Sequence, residues 1–288
     1  MGIILSSSAF APAHITGFFK IYKDGSTGAG INPSKGAETK VIISDQKPGV
    51  KICINNIVEK PASVSEYVIQ EFLSINKNLA PSFIEVQHQL AYPVGYGMGM
   101  SGAGAFSLAL ALNKVSCSDL TYDECMYVAM RAEIKAGTGL GDVIAQKYYG
   151  LMIGLPPFPS RNVEIIACAQ KYISCGFFAP ISTSEIIRDS GWKDKINAAG
   201  SECMQELEKN KSAENFIKIC RHFTFETGLA SKEVRNVMEK IPSSSMAMLG
   251  QSVFILTDSE DEAIRILRPY CKHIKVSTIS TEGAHVIE

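Results

Sequence analysis

The chain has 288 residues, which is enough for one large domain or two modest ones. Hydrophobic residues make up 46% and charged residues 20%, so global disorder is excluded. The 28 basic and 29 acidic residues give a formal net charge of −1. That balance argues against nucleic-acid binding through bulk charge, and it predicts no basic surface for an anionic membrane.

The eight cysteines are scattered, without a C-x-x-C pair or a Cys/His spacing typical of zinc sites. This pattern predicts reduced, mostly buried thiols. The N-terminus lacks a basic segment, so no signal peptide is expected. The longest apolar run, at 103–112, is too short to span a bilayer. We therefore expect a cytoplasmic protein that binds neither membrane nor nucleic acid, with a homodimer as one option for its assembly.

The first third of the chain is predicted to be rich in β-strands. Short β-branched runs occupy 41–43 and 50–54. A helix is expected to begin near Ser63, where Ser-Val-Ser-Glu has the pattern of a capping box. A further strand is predicted over 83–90, and it leads into a glycine-rich loop.

After this loop, the sequence predicts three helices in the N-terminal half. The first, from about 102 to 113, is apolar on nearly all sides, so we expect it to be central and buried. The second is predicted to begin at Thr121, in another capping box, and to end at Gly137. Asp142 is expected to open a third, short helix.

A Pro-rich run at 154–159 is the best boundary signal in the chain. It divides the sequence into an expected N-terminal domain (1–155) and C-terminal domain (156–288). The second part is predicted to hold a strand at about 163–167, several helices over 185–240, and a final strand–helix–strand. Strands and helices are interspersed without a strict βαβ alternation, which indicates an α+β fold.

The glycine-rich loop, PVGYGMGMSGAGA at 93–105, carries the strongest functional signal. Glycines allow sharp turns and a close approach of the backbone to a ligand. Because a helix follows directly, its free N–H groups and positive dipole end face the loop, which predicts phosphate binding. A tight packing turn between strand and helix is the alternative. The candidate phosphate contacts are Gly95, Gly97, Gly99, Met100, Ser101, Gly102, Ala103 and Gly104.

Two familiar phosphate motifs fit this loop less well. Residues 97–102 formally match G-x-G-x-x-G, but a dinucleotide-binding unit also needs a following parallel strand and a ribose-binding acid about 20 residues later. Asp119 lies near that distance, yet its surroundings are typical of a helix start. A Walker A loop requires a Lys, and this loop has none. A dinucleotide-dependent oxidoreductase is therefore disfavoured.

The loop resembles the second motif of the GHMP kinases, which reads roughly P-x-x-x-G-L-G-S-S-A. The stretch APAHITGFF at 11–19 lies where that superfamily has its first motif, although it lacks the usual Pro-Gly-Lys or Pro-Gly-Arg turn. Glu133 and the Gly-Leu-Gly-Asp at 139–142 are similar to the metal-binding Glu and catalytic Asp that follow the loop. These elements agree in order and spacing over about the first half of the chain. Within the superfamily, the segments at 12–19, 26–30 and 97–104 look most like the archaeal pantoate kinases.

The resemblance implies a ribosomal-protein-S5-like N-terminal domain and a ferredoxin-like C-terminal domain, with ATP and substrate between them. It implies phosphorylation of (R)-pantoate to (R)-4-phosphopantoate for coenzyme A synthesis, with ATP and Mg²⁺. One alternative is a GHMP kinase with another acceptor, such as mevalonate, homoserine or shikimate. Another is a non-catalytic sensor that binds a nucleotide or metabolite.

The resemblance also assigns roles to individual residues. It makes Ser101 and Glu133 ligands of Mg²⁺, and it makes Asp142 the group that orients the acceptor hydroxyl and takes its proton. On the residues alone, Ser101 and Asp142 could be plain N-caps and Glu133 a solvated helix acid. His14 lies where mevalonate kinases place a catalytic lysine. Because His is a weaker cation at pH 7, its role stays open between catalysis, substrate hydrogen bonding and a structural turn.

Three further residues are candidates for substrate binding. Thr16 and Ser26 are expected to contact substrate through their hydroxyls. Arg131 could pair with the pantoate carboxylate, because guanidinium matches carboxylate geometry, or it could be a surface residue. The segment at 243–250 is the candidate for the superfamily's third motif, although it keeps only one glycine.

Overall fold

The computed structural model describes residues 4–23, 25–75, 82–139, 141–155 and 162–287. The strands in these ranges are β1 (Ile4–Pro12), β2 (Ile15–Tyr22), β3 (Gly25–Ile31), β4 (Gly36–Ser44), β5 (Gly49–Ile54), β6 (Ile57–Val58), β7 (Phe83–Leu90), β8 (Leu151–Leu155), β9 (Asn162–Ile166), β10 (Tyr172–Pro180), β11 (Ser244–Met246), β12 (Gly250–Thr257), β13 (His273–Thr278) and β14 (His285–Val286). The helices are α1 (Ser63–Ile75), α2 (Met100–Ser116), α3 (Tyr122–Ala136), α4 (Asp142–Gln146), α5 (Thr183–Arg188), α6 (Ser190–Lys209), α7 (Ala213–Thr227), α8 (Lys232–Lys240) and α9 (Glu260–Leu267). The α+β prediction is confirmed.

The first sheet has six strands in the order β14-β1-β4-β7-β5-β6. Its strand pairs are antiparallel except β5 and β7, which run parallel and are connected through α1. Helix α2 packs against β1 and β4, while α1 and α3 pack against α2 and each other. Most residues of α2 are buried, which confirms the prediction of a central apolar helix.

The second sheet has the order β2-β3-β8-β9 and is antiparallel throughout. Helices α6 and α7 pack against β2 on one face of this sheet. Residues of all four strands line the cleft described below. Strand β9 pairs with β8, so hydrogen bonding continues beyond the expected domain boundary at 155/156. Residues 156–161 of that boundary lie outside the described ranges, and the division stays a prediction.

The third sheet belongs to the C-terminal half, with the order β11-β12-β10-β13 and antiparallel pairing. Along the chain, α5 to α8 lie between β10 and β11, and α9 lies between β12 and β13. This split βαβ arrangement is that of a ferredoxin-like fold. It confirms the C-terminal fold that the sequence resemblance implies.

Several sequence predictions are confirmed in detail and others were missed. Thr121 caps α3 through a capping box with Glu124, and Gly137 ends the helix in a left-handed conformation. Strands β10 and β14 were not predicted, because their partners lie far away in the chain. All eight cysteines are free thiols, and six of them are buried. Within the described ranges, every helix is too short or too polar to traverse a bilayer.

Candidate functional site

A branched cleft runs between the glycine loop and the second sheet. One branch, the loop arm, is lined by residues 94, 95 and 97–101, by residues of 181–187 and by Met248 and Leu249. The other, the sheet arm, is lined by β3 from Ser26 to Gly30 and by residues of α4, β8 and β9. The loop arm has about 1050 Å³ of empty space and the sheet arm about 600 Å³, open solvent included. Both arms share the same six residues: His14, Thr16, Phe19, Ser26, Gly141 and Asp142.

The glycine loop requires glycine at three alternate positions. Gly95, Gly97 and Gly99 have φ values of 86°, 75° and 59°, in the left-handed region that L side chains rarely adopt. A Cβ on Gly97 would also lie 2.6 Å from the carbonyl oxygen of Ala247. The C-terminal half therefore packs directly against the loop, which helps to hold its shape.

Helix α2 begins at the end of this loop, with Gly99 as its N-cap and no capping side chain among the described residues. The amide of Ala103 donates to the carbonyl of Gly99, so it is already used within the helix. The preceding amides of the first turn have no acceptor inside the helix. Among the predicted phosphate contacts, Gly95, Gly97, Gly99, Met100 and Ser101 line the loop arm.

The remaining three predicted contacts do not line this arm. A Cβ on Gly102 would meet the side chains of Gln146 and Val143, and one on Gly104 would approach His88. Ala103 is fully buried in the core. Small residues at these positions allow α2 to pack closely against its neighbours, among them α4 and β7.

Ser101 and Glu133 are brought together by the packing of α2 against α3. The Ser101 hydroxyl donates to Glu133 Oε1 at 2.5 Å, and the Thr138 hydroxyl donates to the same oxygen at 2.9 Å. Glu133 is 2% exposed. The alternative of a solvated helix acid is therefore wrong, and Ser101 is not an N-cap because Gly99 has that position.

The electrostatics of Glu133 suit a cation. Burial raises the pKa of its carboxyl to about 7, the hydroxyls of Ser101 and Thr138 oppose the rise, and Asp142 adds to it. Two buried carboxyls thus lie close together, a placement that a divalent cation would relieve. Among the described residues no cluster of three or more His, Cys, Asp or Glu side chains could hold a metal ion. A hydroxyl with one carboxylate still fits Mg²⁺, which uses few protein oxygens and completes its shell with water and phosphate.

Asp142 is the first residue of α4, as predicted, and Gly141 is the N-cap, so the alternative that Asp142 is a plain N-cap is wrong. Burial raises the pKa of its carboxyl, whereas His14 and a hydrogen bond from Thr16 lower it. The Thr16 hydroxyl lies 3.4 Å from Asp142 Oδ1. A Cβ on Gly141 would lie 2.4 Å from Ser26 Oγ, so Ser26 is adjacent too. The structure therefore brings Thr16, Ser26 and Asp142 together.

His14 is buried beside Asp142, where both arms meet. Its backbone N–H donates to the carbonyl of Met98, which ties it to the glycine loop. Its Nδ1 lies 2.7 Å from Asn32 Oδ1. Burial lowers the pKa of the imidazole, and Asp142 and Asn32 oppose the change. The structure therefore places His14 where the two arms meet.

Arg131 is not brought to the cleft. Its Nε lies 2.8 Å from Glu71 Oε1 in an exposed ion pair between α3 and α1. Positions two apart on a helix point to different sides, so Arg131 faces outward while Glu133 faces α2. Among the described residues that line the sheet arm, none is Lys or Arg.

The sequence reasoning missed two buried amides. Asn32 contacts His14 as described, and the amide nitrogen of Gln146 donates to the carbonyl of Gly99 at 2.7 Å. Both are fully buried. An isolated amide has no motif, although the Asn32-Pro33 pair is a turn signal that could have drawn attention to the first of them. The segment at 243–250 does reach the site, because Met248 and Leu249 line the loop arm.

Comparison with known proteins agrees with this geometry. The N-terminal domain family of the GHMP kinases matches residues 59–150, which include the glycine loop, Glu133 and Asp142. A pantoate kinase from Methanocaldococcus jannaschii is 34% identical over 271 residues, or 90% of this chain and 96% of that protein. A pantoate kinase from Thermococcus kodakarensis is 30% identical over 270 residues, or 88% of each chain.

Solved structures show the same fold along the whole chain. A phosphotransferase related to the CoA biosynthesis pathway has a TM-score of 0.84 and 27% identity, covering 98% of each chain. A homoserine kinase from Cytophaga hutchinsonii has a TM-score of 0.71 and 17% identity, covering 98% of this chain and 97% of that one. At this identity, the similarity to the homoserine kinase is one of fold alone.

Proposed function

This chain belongs to the GHMP kinase family, and we propose that it transfers the γ-phosphoryl group of ATP to a hydroxyl of (R)-pantoate, giving (R)-4-phosphopantoate. The observation that carries the proposal is the meeting of the glycine loop, the buried Ser101–Glu133 pair and Asp142 around one cleft. The names of the pantoate kinases that match most of the chain support the choice of acceptor. ATP is a cytoplasmic metabolite, so the proposed location is the cytoplasm.

The loop arm is the proposed ATP site. Main-chain N–H groups at Gly97, Gly99 and the first turn of α2 would donate to phosphate oxygens, and the helix dipole favours their negative charge. Ser101 and Glu133 would hold Mg²⁺, and the bound ion would neutralise phosphate charge as it shifts during transfer. The larger volume of this arm suits a nucleotide.

The sheet arm is the proposed acceptor site, and Asp142 lies where it meets the loop arm. The acceptor hydroxyl attacks the γ-phosphorus, a new O–P bond forms, the bond between the γ-phosphorus and the bridging oxygen of ADP breaks, and the hydroxyl proton passes to Asp142. A carboxyl whose pKa is raised by burial is a better proton acceptor than an ordinary Asp. Phosphoryl transfer depends mainly on alignment and charge neutralisation, so one placed carboxylate is sufficient.

Neutral groups would recognise the rest of the acceptor. Ser26 and Thr16 present hydroxyls next to Asp142, and His14 presents its imidazole. Gly28 and Gly30 line the sheet arm with main-chain atoms alone. Arg131 has no part in this proposal, because its side chain is paired with Glu71 outside the cleft.

The proposal is tested by ADP release from the purified full-length chain with ATP and Mg²⁺, comparing pantoate, mevalonate, homoserine and shikimate as acceptors. We expect release that depends on pantoate alone. ADP release with another acceptor would support the same reaction type but identify a different substrate. Tight ATP binding without release for any acceptor would favour a nucleotide sensor and overturn the proposal.

A further inference from the structure

Asn32 follows β3 and is fully buried between His14 and α4. Its amide nitrogen donates to two main-chain carbonyls, that of Ala145 in α4 and that of Tyr148 just after the helix, each at 2.9 Å. Its amide oxygen lies 2.7 Å from His14 Nδ1. The whole amide group is thus satisfied by partners on two separate segments.

These contacts determine which partner donates in the hydrogen bond between Asn32 and His14. A carbonyl oxygen can only accept, so the NH₂ group of Asn32 must face Ala145 and Tyr148. The amide oxygen then faces His14, and Nδ1 must carry the hydrogen and donate it. Since a neutral imidazole carries hydrogen on one nitrogen only, Nε2 is left with a free lone pair.

The free nitrogen lies against Gly30, which lines the sheet arm. A Cβ built on Gly30 would lie 2.5 Å from Nε2 and 2.4 Å from the adjacent Cε1, so this edge of the ring rests on the bare backbone of β3. His14 lines both arms. Of the described groups packed around it, from α4, β3 and the loop at 98–99, Asp142 is the one whose charge acts on the imidazole.

We propose that Asn32 is a positioning residue: it holds His14 as the Nδ1–H tautomer, so that Nε2 accepts a hydrogen bond from a hydroxyl of the bound acceptor. The same amide ties His14 to α4, the helix that begins with Asp142, and so sets the two side chains relative to each other. The effect on catalysis rests on the proposed function, whereas the tautomer itself does not depend on it. His14 then acts as a neutral acceptor and not as a substitute for a lysine cation.

The direct test is a long-range ¹H–¹⁵N spectrum of the full-length protein labelled with ¹⁵N-histidine, which contains five imidazoles. The His14 signals are identified by their loss in His14→Gln. We expect the pattern of a ring protonated at Nδ1 alone at pH 7.5. The pattern of the Nε2–H tautomer, or of an imidazolium, would overturn the inference without the need for any variant of Asn32.

Asn32→Asp adds a test of the functional consequence. A carboxylate at this position favours the imidazolium, so the titration midpoint of His14 should rise by about 1–3 pH units. The acidic limb of kcat/KM for pantoate should move upward by the same amount, because only the neutral ring accepts a hydrogen bond. An unchanged midpoint in a folded variant would contradict the inference.

Asn113→Asp is the matched control. Asn113 also bridges main-chain groups through its amide, to the N–H and carbonyl of Leu120, but at the far end of α2. This variant should keep the wild-type His14 pattern and pH profile. If the wild-type enzyme phosphorylates none of the acceptors, the proposed function fails, while the histidine spectrum still decides the tautomer.

Discussion

The Ser101 hydroxyl donates a 2.5 Å hydrogen bond to the buried carboxylate of Glu133, and this bond joins the first turn of α2 to the last turn of α3. The first element carries the glycine loop, and the second leads through Gly139 and Gly141 to Asp142. Ser101 and Glu133 therefore connect the loop that is proposed to bind phosphate with the segment that carries the proposed proton acceptor.

Glu133→Gln should weaken binding of ATP in the presence of Mg²⁺ by roughly tenfold or more, because the ligand charge is lost. The amide oxygen can still accept the hydrogen bonds from Ser101 and Thr138, so the fold should be kept. Calorimetric titration with ATP, with and without Mg²⁺, separates the metal-dependent part. Glu85→Gln, which changes a carboxylate paired with Lys51 on the first sheet, is the control. Equal affinities for Glu133→Gln and wild type would show that Glu133 does not hold the metal.

Gly97→Ala should impair both stability and ATP binding. A left-handed Ala costs about 1 kcal/mol, and its Cβ would in addition press against the Ala247 carbonyl. Gly228→Ala is the matched control, since Gly228 has φ 72° but nothing within 4 Å of its Cβ position. Urea unfolding and ATP titration of both variants measure the difference. If Gly97→Ala binds ATP as tightly as Gly228→Ala, the shape of the loop is not what the nucleotide requires.

Arg131→Ala should leave kcat and the KM for pantoate within about twofold of wild type, since removal of an exposed ion pair costs less than about 1 kcal/mol. Steady-state kinetics with varied pantoate checks this. A large rise in KM for pantoate alone would mean that Arg131 reaches the acceptor after all.

His88 predicts a loss of stability in acid. It is buried between Thr39 and Ser65, with Nδ1 2.7 Å from Thr39 Oγ1 and Nε2 3.0 Å from Ser65 Oγ. Burial lowers the pKa of His88 to about 4. Because the unfolded chain binds this proton more readily, the contribution is fully present above pH 6.5 and is lost as the pH falls toward 4, by about 2 kcal/mol at pH 5. Unfolding of wild type and His88→Gln at pH 7.5 and pH 5 should show a smaller pH dependence in the variant, and equal dependence would assign the acid sensitivity elsewhere.

The sequence was most informative where chemistry is local. Thr121 and Glu124 lie three residues apart and cap one helix, so their pattern predicts the start of α3 directly. The glycine loop and the order of Ser101, Glu133 and Asp142 were also readable along the chain. Strand β10 was not, because it is stabilised by β12 and β13, which follow about 80 and about 100 residues later.

Dependence on tertiary structure also explains why the site predicted from the sequence was incomplete. Arg131 is close to Glu133 in sequence, but the helical period turns it to the opposite side. Asn32 and Gln146 act through main-chain carbonyls on other segments, and such partners leave no mark in the residue pattern. Tertiary packing alone brings these amides next to His14 and the glycine loop.

The central claim is that Asp142 accepts the proton of a pantoate hydroxyl as it takes phosphate from ATP. The direct measurement is ³¹P NMR of the reaction with ATP, Mg²⁺ and (R)-pantoate, catalysed by wild type and by Asp142→Asn. Wild type should produce a phosphomonoester whose phosphorus couples to the CH₂ protons of pantoate. One molecule of this ester should form for each molecule of ADP. Asp142→Asn should form the same product roughly 10²–10⁴-fold more slowly while binding ATP with nearly unchanged affinity. ADP without this ester, or equal rates for the two proteins, would contradict the account.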